Sequence, residues 1–214
     1  MIALKYFLVS PYSSVLRYQE SLFDKAVNAK NEGADVQQTL ILCQHHPVYT
    51  LGKSGGIENL LIDPETVGAE FVRINRGGDI TFHGPGQLVA YPIVDLDMLG
   101  IGVALYVEKL EEIIIKTLSD FGIVANRVEG APGVWVGNAK IGAVGIKISR
   151  HISMHGLALN VNTDLAFFSH IVPCGISNKP VTSMMKLSGN AFNMIDVVNV
   201  FKKYFQEVFN VELK

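Results

Sequence analysis

Gly133-Val134-Trp135-Val136-Gly137-Asn138-Ala139-Lys140-Ile141-Gly142-Ala143-Val144-Gly145-Ile146-Lys147-Ile148-Ser149, followed after two residues by Ile152 to Val161, decides the fold class. Glycines interrupt any helical periodicity here, and the apolar runs between them read as two β-rich stretches. Upstream, Leu16 to Glu32 reads as a helix with Leu16, Leu22, Phe23, Ala26 and Ala29 near one face and Gly33 as a stop. Thr39 to Cys43 reads as a buried strand, and Val48 to Leu51 as another after a His-Pro turn. Phe71 to Ile74 and Gln87 to Val94 are further strand candidates flanking a glycine-rich segment. A helix from about Val103 to Phe121 turns Leu105, Leu110, Ile114 and Leu118 inward and ends at Gly122. Downstream, Met194 to Phe209 is amphipathic and helical. No repeat, low-complexity run or linker divides the chain. The expectation is one α/β (α+β) domain over residues 1–214, with a mostly antiparallel or mixed sheet flanked by helices.

Bulk composition narrows the function. The chain has 214 residues, 49% apolar and 18% charged, which suits a compact core and argues against disorder. A formal charge of −2 argues against nucleic-acid binding by phosphate neutralisation. Two cysteines are too few for a disulfide scaffold and suit a reducing compartment. The first ten residues are apolar only briefly, without a charged leader, a cleavage site or the ~20 apolar residues of a membrane span. A soluble, cytoplasmic protein with no membrane partner is expected.

Two segments carry the chemistry. Cys174 stands in Ile171-Val172-Pro173-Cys174-Gly175-Ile176, between a residue with fixed φ and a permissive one. A nucleophile and an incidental buried thiol both fit that setting. Arg76-Gly77-Gly78-Asp79-Ile80-Thr81-Phe82-His83-Gly84-Pro85-Gly86 packs four glycines around an arginine and a histidine. Such a loop brings backbone N–H groups close to a ligand, with Arg76 and His83 adding charge and proton-transfer capacity. The alternative is tight turns around a short strand with Arg76 solvated. Lys140 is either a surface charge or, beside a thiol, a group that favours the thiolate.

Other patterns fail on geometry. Gly52-Lys53-Ser54 resembles the end of a phosphate-binding loop, yet Pro47 occupies the required earlier glycine position. His151 and His155 are four strand residues apart, ~13 Å, too far to share one ion. Cys43, His45 and His46 match no closed zinc site and suit turn and core roles, and Trp135 suits the core. No metal or cofactor is called for.

Taken together, the segments resemble the lipoyl(octanoyl) transferase family over most of the chain, from about Thr39 to Ser183. The resemblance rests on His45-His46-Pro47-Val48-Tyr49-Thr50-Leu51-Gly52, on Arg76 to Gln87, and on Gly133-Val134-Trp135-Val136. It continues through Lys140-Ile141-Gly142-Ala143-Val144-Gly145, His155-Gly156-Leu157-Ala158-Leu159-Asn160 and Pro173-Cys174-Gly175-Ile176. Gln44 stands where an acidic residue is frequent in that family, and His46 where proline is frequent.

The resemblance implies a biotin/lipoate protein ligase-like fold and a single octanoyltransferase catalytic domain. It implies transfer of an octanoyl group from octanoyl-acyl carrier protein to a lysine of lipoyl domains, those of 2-oxoacid dehydrogenase complexes and the glycine cleavage H protein. Cys174 matches the nucleophile that carries the acyl group as a thioester, and Lys140 its activating partner. The segments Arg76-Gly77-Gly78-Asp79-Ile80-Thr81-Phe82-His83, Ala143-Val144-Gly145 and Gly156-Leu157-Ala158 match those that bind the acyl substrate. The acceptor amine must be neutral to attack, and an ordinary lysine with pKa ~10.4 is mostly charged at pH 7. Lys140 is the candidate base, and His83 a weaker alternative for proton transfer. Backbone N–H groups near Cys174 could hold the oxyanion. The rivals are an ATP-dependent lipoate–protein ligase and a non-catalytic acyl or lipoyl-domain binding protein.

Overall fold

A computed structural model of the chain describes residues 1–172 and 180–214. Cys174 and its neighbours 173–179 lie outside the described residues. The elements run β1 (Ala3–Ser10), α1 (Tyr12–Asn31), β2 (Thr39–His45), β3 (Val48–Leu51), β4 (Glu70–Arg73), β5 (Ile80–His83) and β6 (Gln87–Ile93). They continue with α2 (Val103–Asp120), β7 (Asn126–Val128), β8 (Ala131–Val136), β9 (Ala139–Ser149), β10 (Ile152–Asn160), α3 (Met184–Ser188) and α4 (Met194–Phe209). A seven-stranded sheet has the order β1-β2-β6-β10-β9-β8-β7, and a three-stranded sheet the order β4-β3-β5. Both are mixed: β1 runs parallel to β2 and β4 parallel to β3, while the other pairs are antiparallel. The glycine-bearing stretch 133–161 is indeed sheet, turned back on itself at Arg150 and His151, both with positive φ.

The helices cover opposite faces of the large sheet. On one, α2 and α4 bury Tyr106, Leu110, Ile114, Leu118, Phe201 and Phe205 against Leu40, Leu42, Leu88, Leu157 and Leu159. On the other, α1 lays Val15, Phe23 and Ala26 over Ile41, Val89, Tyr91, Ile152 and Met154. Fully burying side chains of this size stabilises by about 1.5–3 kcal/mol each.

Three expectations need correction. α1 starts a turn earlier than Leu16, because Pro11, with φ already at −57°, launches it. Its buried stripe is consequently Tyr12, Val15, Gln19, Phe23 and Ala26, leaving Leu16 and Leu22 half-buried at its margins. In α2, Leu105 is 44% exposed, and the neighbouring Tyr106 takes the inward position. The short apolar N-terminal run, not read as an element, forms the edge strand β1. It pairs with β2 through registers such as Leu4 with Leu40.

Candidate active site

β9 and β10 bring two separate sequence segments into one patch. Ala143 pairs with Ala158, Val144 with Leu157 and Gly145 with Gly156 in the antiparallel register. This patch floors a cavity of about 420 Å³ on the α1 side of the large sheet. Arg76, Gly78, Asp79, Ile80, Thr81 and His83 border it, and Tyr12, Gln87, Tyr91, Lys140, His155, Asn160, Phe168 and Val181 complete much of its wall. That volume falls in the range of small-ligand pockets.

Among the predicted binding residues, Gly77 and Phe82 do not border the cavity. Alternation along β5 sends Thr81 and His83 one way and Phe82 the other, where its ring stacks on Phe167 at 4.4 Å. Gly77 gives its N–H to Ile146 O at 2.9 Å.

Arg76 is 8% exposed, so the solvated alternative does not hold. Its Nη2 donates to Thr50 O at 2.8 Å and to Thr50 Oγ1 at 3.0 Å, while Nη1 donates to Gly77 O at 3.0 Å. The side chain lies flat against β9: a Cβ on Gly145 would sit 3.0 Å from Arg76 Cδ. The arginine thus braces the glycine-rich loop from within. The neighbouring loop at Gly52-Lys53-Ser54 spends its N–H groups on Asp79 O, Arg76 O and Gly78 O. No phosphate cradle is left open there, in agreement with the failed motif.

Three imidazoles sit around this brace. Burial pushes His83 down to about 3, assisted by His45 and Arg76; burial likewise takes His155 to about 3 and His45 to about 4. Both nitrogens of the buried His83 ring have hydrogen-bonding neighbours, Nδ1 beside Gln87 Oε1 at 2.7 Å and Nε2 beside Thr50 Oγ1 at 3.5 Å. His45 gives its Nδ1 hydrogen to Ser10 O at 3.2 Å and accepts from the Tyr91 hydroxyl at Nε2, 2.8 Å away. His155 combines φ of +60° within a strand with an Nδ1 that is buried and without a hydrogen-bond partner. Strain and an unsatisfied polar atom at a cavity wall are features of functional positions.

Lys140 leads into β9 on the opposite wall. Its ammonium stands over the Trp135 ring, 4.9 Å from the centroid. Trp135 therefore does more than fill the core: its Nε1 is anchored on Ala131 O at 2.9 Å, and its face supports Lys140. Gly133, at φ +110°, lets the lysine stem pass, since a Cβ there would come within 2.6 Å of Gly142 O and 3.3 Å of Lys140 Cε. Lys140 N–H donates to Pro180 O and its carbonyl accepts from Thr182 N–H, both at 2.9 Å. Phe168 before residues 173–179 and Val181 after them both border the cavity.

Gln44 and His46 lie off the cavity. Gln44 Oε1 accepts from Gly86 N–H at 2.8 Å, a bond that a carboxylate would accept equally, so the amide keeps the turn intact. His46 is exposed on the turn between β2 and β3. Sequence reasoning missed Tyr12, Tyr91, His155, Gln87 and Asn160 as cavity residues. The last three stood inside or beside quoted segments, and their polarity within strands was the available signal. Tyr91 gave none, because an aromatic in an apolar run reads as core, and Tyr12 gave none, because it stands among Ser10, Pro11, Ser13 and Ser14 ahead of the expected helix start.

The fold and cavity agree with what the chain is similar to. A bi-partite lipoate protein ligase from Thermoplasma acidophilum, studied with its E2 lipoyl domain, superposes with a TM-score of 0.70 at 16% identity, covering 100% of this chain and 85% of that one. The biotin protein ligase of Aquifex aeolicus gives a TM-score of 0.54 at 13% identity, over 97% of this chain and 69% of that one. Both show the fold alone. The model of the lipoyl protein ligase A/B catalytic domain matches residues 11–206. The octanoyltransferase of Bacteroides fragilis is 47% identical over 195 residues, 87% of this chain and 88% of that protein. The chain belongs to the lipoyl protein ligase A/B catalytic family, among its octanoyltransferases, and is an acyltransferase. Among the described residues no helix is long and apolar enough to cross a membrane.

Proposed function

We propose that the protein transfers an octanoyl group from octanoyl-acyl carrier protein to a lysine of lipoyl domains through an acyl-thioester on Cys174. The observation that carries this reading is a cavity of single-ligand size bordered by Lys140 and by the chain on both sides of residues 173–179. The 47% identical octanoyltransferase supplies the acyl group. In the first step the Cys174 thiolate attacks the donor thioester, the new C–S bond forms, and the carrier sulfur leaves with a proton from the Lys140 ammonium. Thioester exchange keeps the acyl group activated. In the second step the acceptor lysine, one proton having gone to solvent, attacks as an amine. The C–N bond forms, the C–S bond to Cys174 breaks, and neutral Lys140 takes the remaining proton, restoring the ammonium–thiolate pair. The Trp135 ring, 4.9 Å from Lys140 Nζ, supports the lysine side chain and favours its ammonium form at the start and end of the cycle.

Intact-mass measurement after incubation with octanoyl-acyl carrier protein tests the intermediate. Wild type gains one octanoyl group and Cys174→Ser gains none. An adduct undiminished in the variant, or an absolute requirement for ATP with the carrier-bound donor, sinks the reading. Binding of donor without any transfer would identify the protein as a non-catalytic module.

A further inference from the structure

The floor of the cavity holds one row of side chains that crosses four strands. Cys43 of β2 pairs with Val89 of β6, Val89 with Ala158 of β10, and Ala158 with Ala143 of β9. Cross-strand partners stand on the same face, here the α1 side, where Cys43, Val89 and Ala158 share one apolar cluster. Alternation turns Val144 and Leu157 to the opposite face, and Gly145 and Gly156 have no side chain. Exposure falls steadily along the row: Ala143 is partly buried, Ala158 is 7% exposed, Val89 1% and Cys43 0%. Ala143, Ala158 and Val89 border the cavity, and Cys43 does not. The row is therefore open at β9, the strand that carries Lys140, and blind at Val89.

Polar groups flank this row. The register pair Gln87 and Asn160 lies on one side of it, and Tyr91 and the Arg76 stem packed on Gly145 lie on the other. An acyl tail is driven out of water onto apolar surface, and the floor offers that surface over Ala143 and Ala158. The two alanines leave space above them for a chain, and the valine fills it. From β9 to β6 is two strand spacings, about 10 Å. The seven C–C bonds of an octanoyl group, about 1.5 Å each and zigzagged, span about 9 Å. We propose that Val89 sets the acyl chain length: the acyl group lies across β9 and β10 with its carbonyl at the Lys140 end, and its terminal methyl stops against the Val89 isopropyl group. This rests on the acyl-transfer reading above and assigns that reading its specificity.

Transfer to a lipoyl domain is measured with hexanoyl-, octanoyl- and decanoyl-acyl carrier protein. Values of kcat/KM are compared within each enzyme preparation, so any loss of folded protein cancels from the ratios. One methylene more or less in an apolar pocket changes such ratios by about 10–200-fold. Val89→Ala should raise decanoyl over octanoyl by about tenfold or more relative to wild type. Val89→Leu should raise hexanoyl over octanoyl by a similar factor. Cys43→Ala, one strand beyond the blind end, should keep the wild-type profile. An unchanged ratio in either Val89 variant, or a shift toward decanoyl in Cys43→Ala, overturns the assignment. Calorimetric titration with free octanoate and decanoate separates this from the transfer reading. Absence of any acyl adduct on wild type would defeat the transfer reading alone. A preference moved toward decanoate in Val89→Ala would then still uphold Val89 as the end wall, and an unmoved preference would overturn it.

Discussion

The two faces of the seven-stranded sheet are built on opposite terms. Under α2 and α4 the contacts are leucine, isoleucine and phenylalanine, and the buried hydroxyls are satisfied, as with Tyr106 on Ser153 Oγ and Thr117 on Ile113 O. Under α1 lie the buried His45 of β2 and His155 of β10, with His83 of β5 and Arg76 of the glycine-rich loop beside them, and Gln19 Nε2, Gln19 Oε1 and His155 Nδ1 are without hydrogen-bond partners. Buried polar atoms without partners cost about 1–3 kcal/mol each. The apolar face offsets that cost, so one sheet divides stability from chemistry.

The largest test of this division is on the polar face. Lys140→Ala should lower octanoyl transfer by about 10²-fold or more, the usual worth of a positioned acid–base group, with a nearly unchanged melting temperature. A large loss of stability in that variant would place Lys140 among the structural residues instead. Its mirror image is Phe201→Ala beneath α4. Phe201 is 0% exposed, and its truncation should cost about 3–5 kcal/mol in denaturant unfolding while transfer per folded molecule stays the same. A fall in specific activity matching the Lys140 variant would break the division.

Acid provides the third test. His45, His83 and His155 have ordinary values near 6.5 when unfolded, and burial lowers them to about 4, 3 and 3 in the fold. As pH falls below about 6.5 the unfolded chain binds protons that the folded chain refuses. Stability present above that pH is lost progressively toward pH 4 for His45 and pH 3 for the other two. The slope is at most about 1.4 kcal/mol per pH unit for each residue. Urea midpoints at pH 7.5 and 5.5 measure it, before most carboxylates titrate. His45→Gln should flatten the slope; equal midpoints at the two pH values in wild type would show that the imidazoles are not held neutral.

The same division explains what could be read from the sequence. The apolar face writes itself as periodicity, so α4 is read at its observed ends, Met194 and Phe209, and α2 within a residue of them. The polar face is assembled across long separations. Glycines announced the Arg76 loop, but only register shows that Ala143 faces Ala158 and that Gln87 meets Asn160. Tyr12 reaches the cavity because Pro11 starts α1 early, a tertiary consequence that no apolar pattern signals. Cys174 and Lys140 were named through resemblance, and local spacing alone left each with two readings.

The smallest expected effect sharpens the comparison most finely. Asn193 caps α4, its Oδ1 accepting from Ile195 N–H at 3.1 Å. Asn193→Ala removes that acceptor and should cost about 1 kcal/mol in denaturant unfolding. The loss is local to the first turn of a helix whose Val197, Phe201 and Phe205 touch the apolar face only. At temperatures well below unfolding the folded population stays near unity, so the rate of octanoyl transfer should not change. The acid slope should also match wild type, because all six histidines lie outside α2 and α4. A shifted slope in this variant would mean that loosening α4 reaches the buried imidazoles through the sheet, and that the two faces act as one unit.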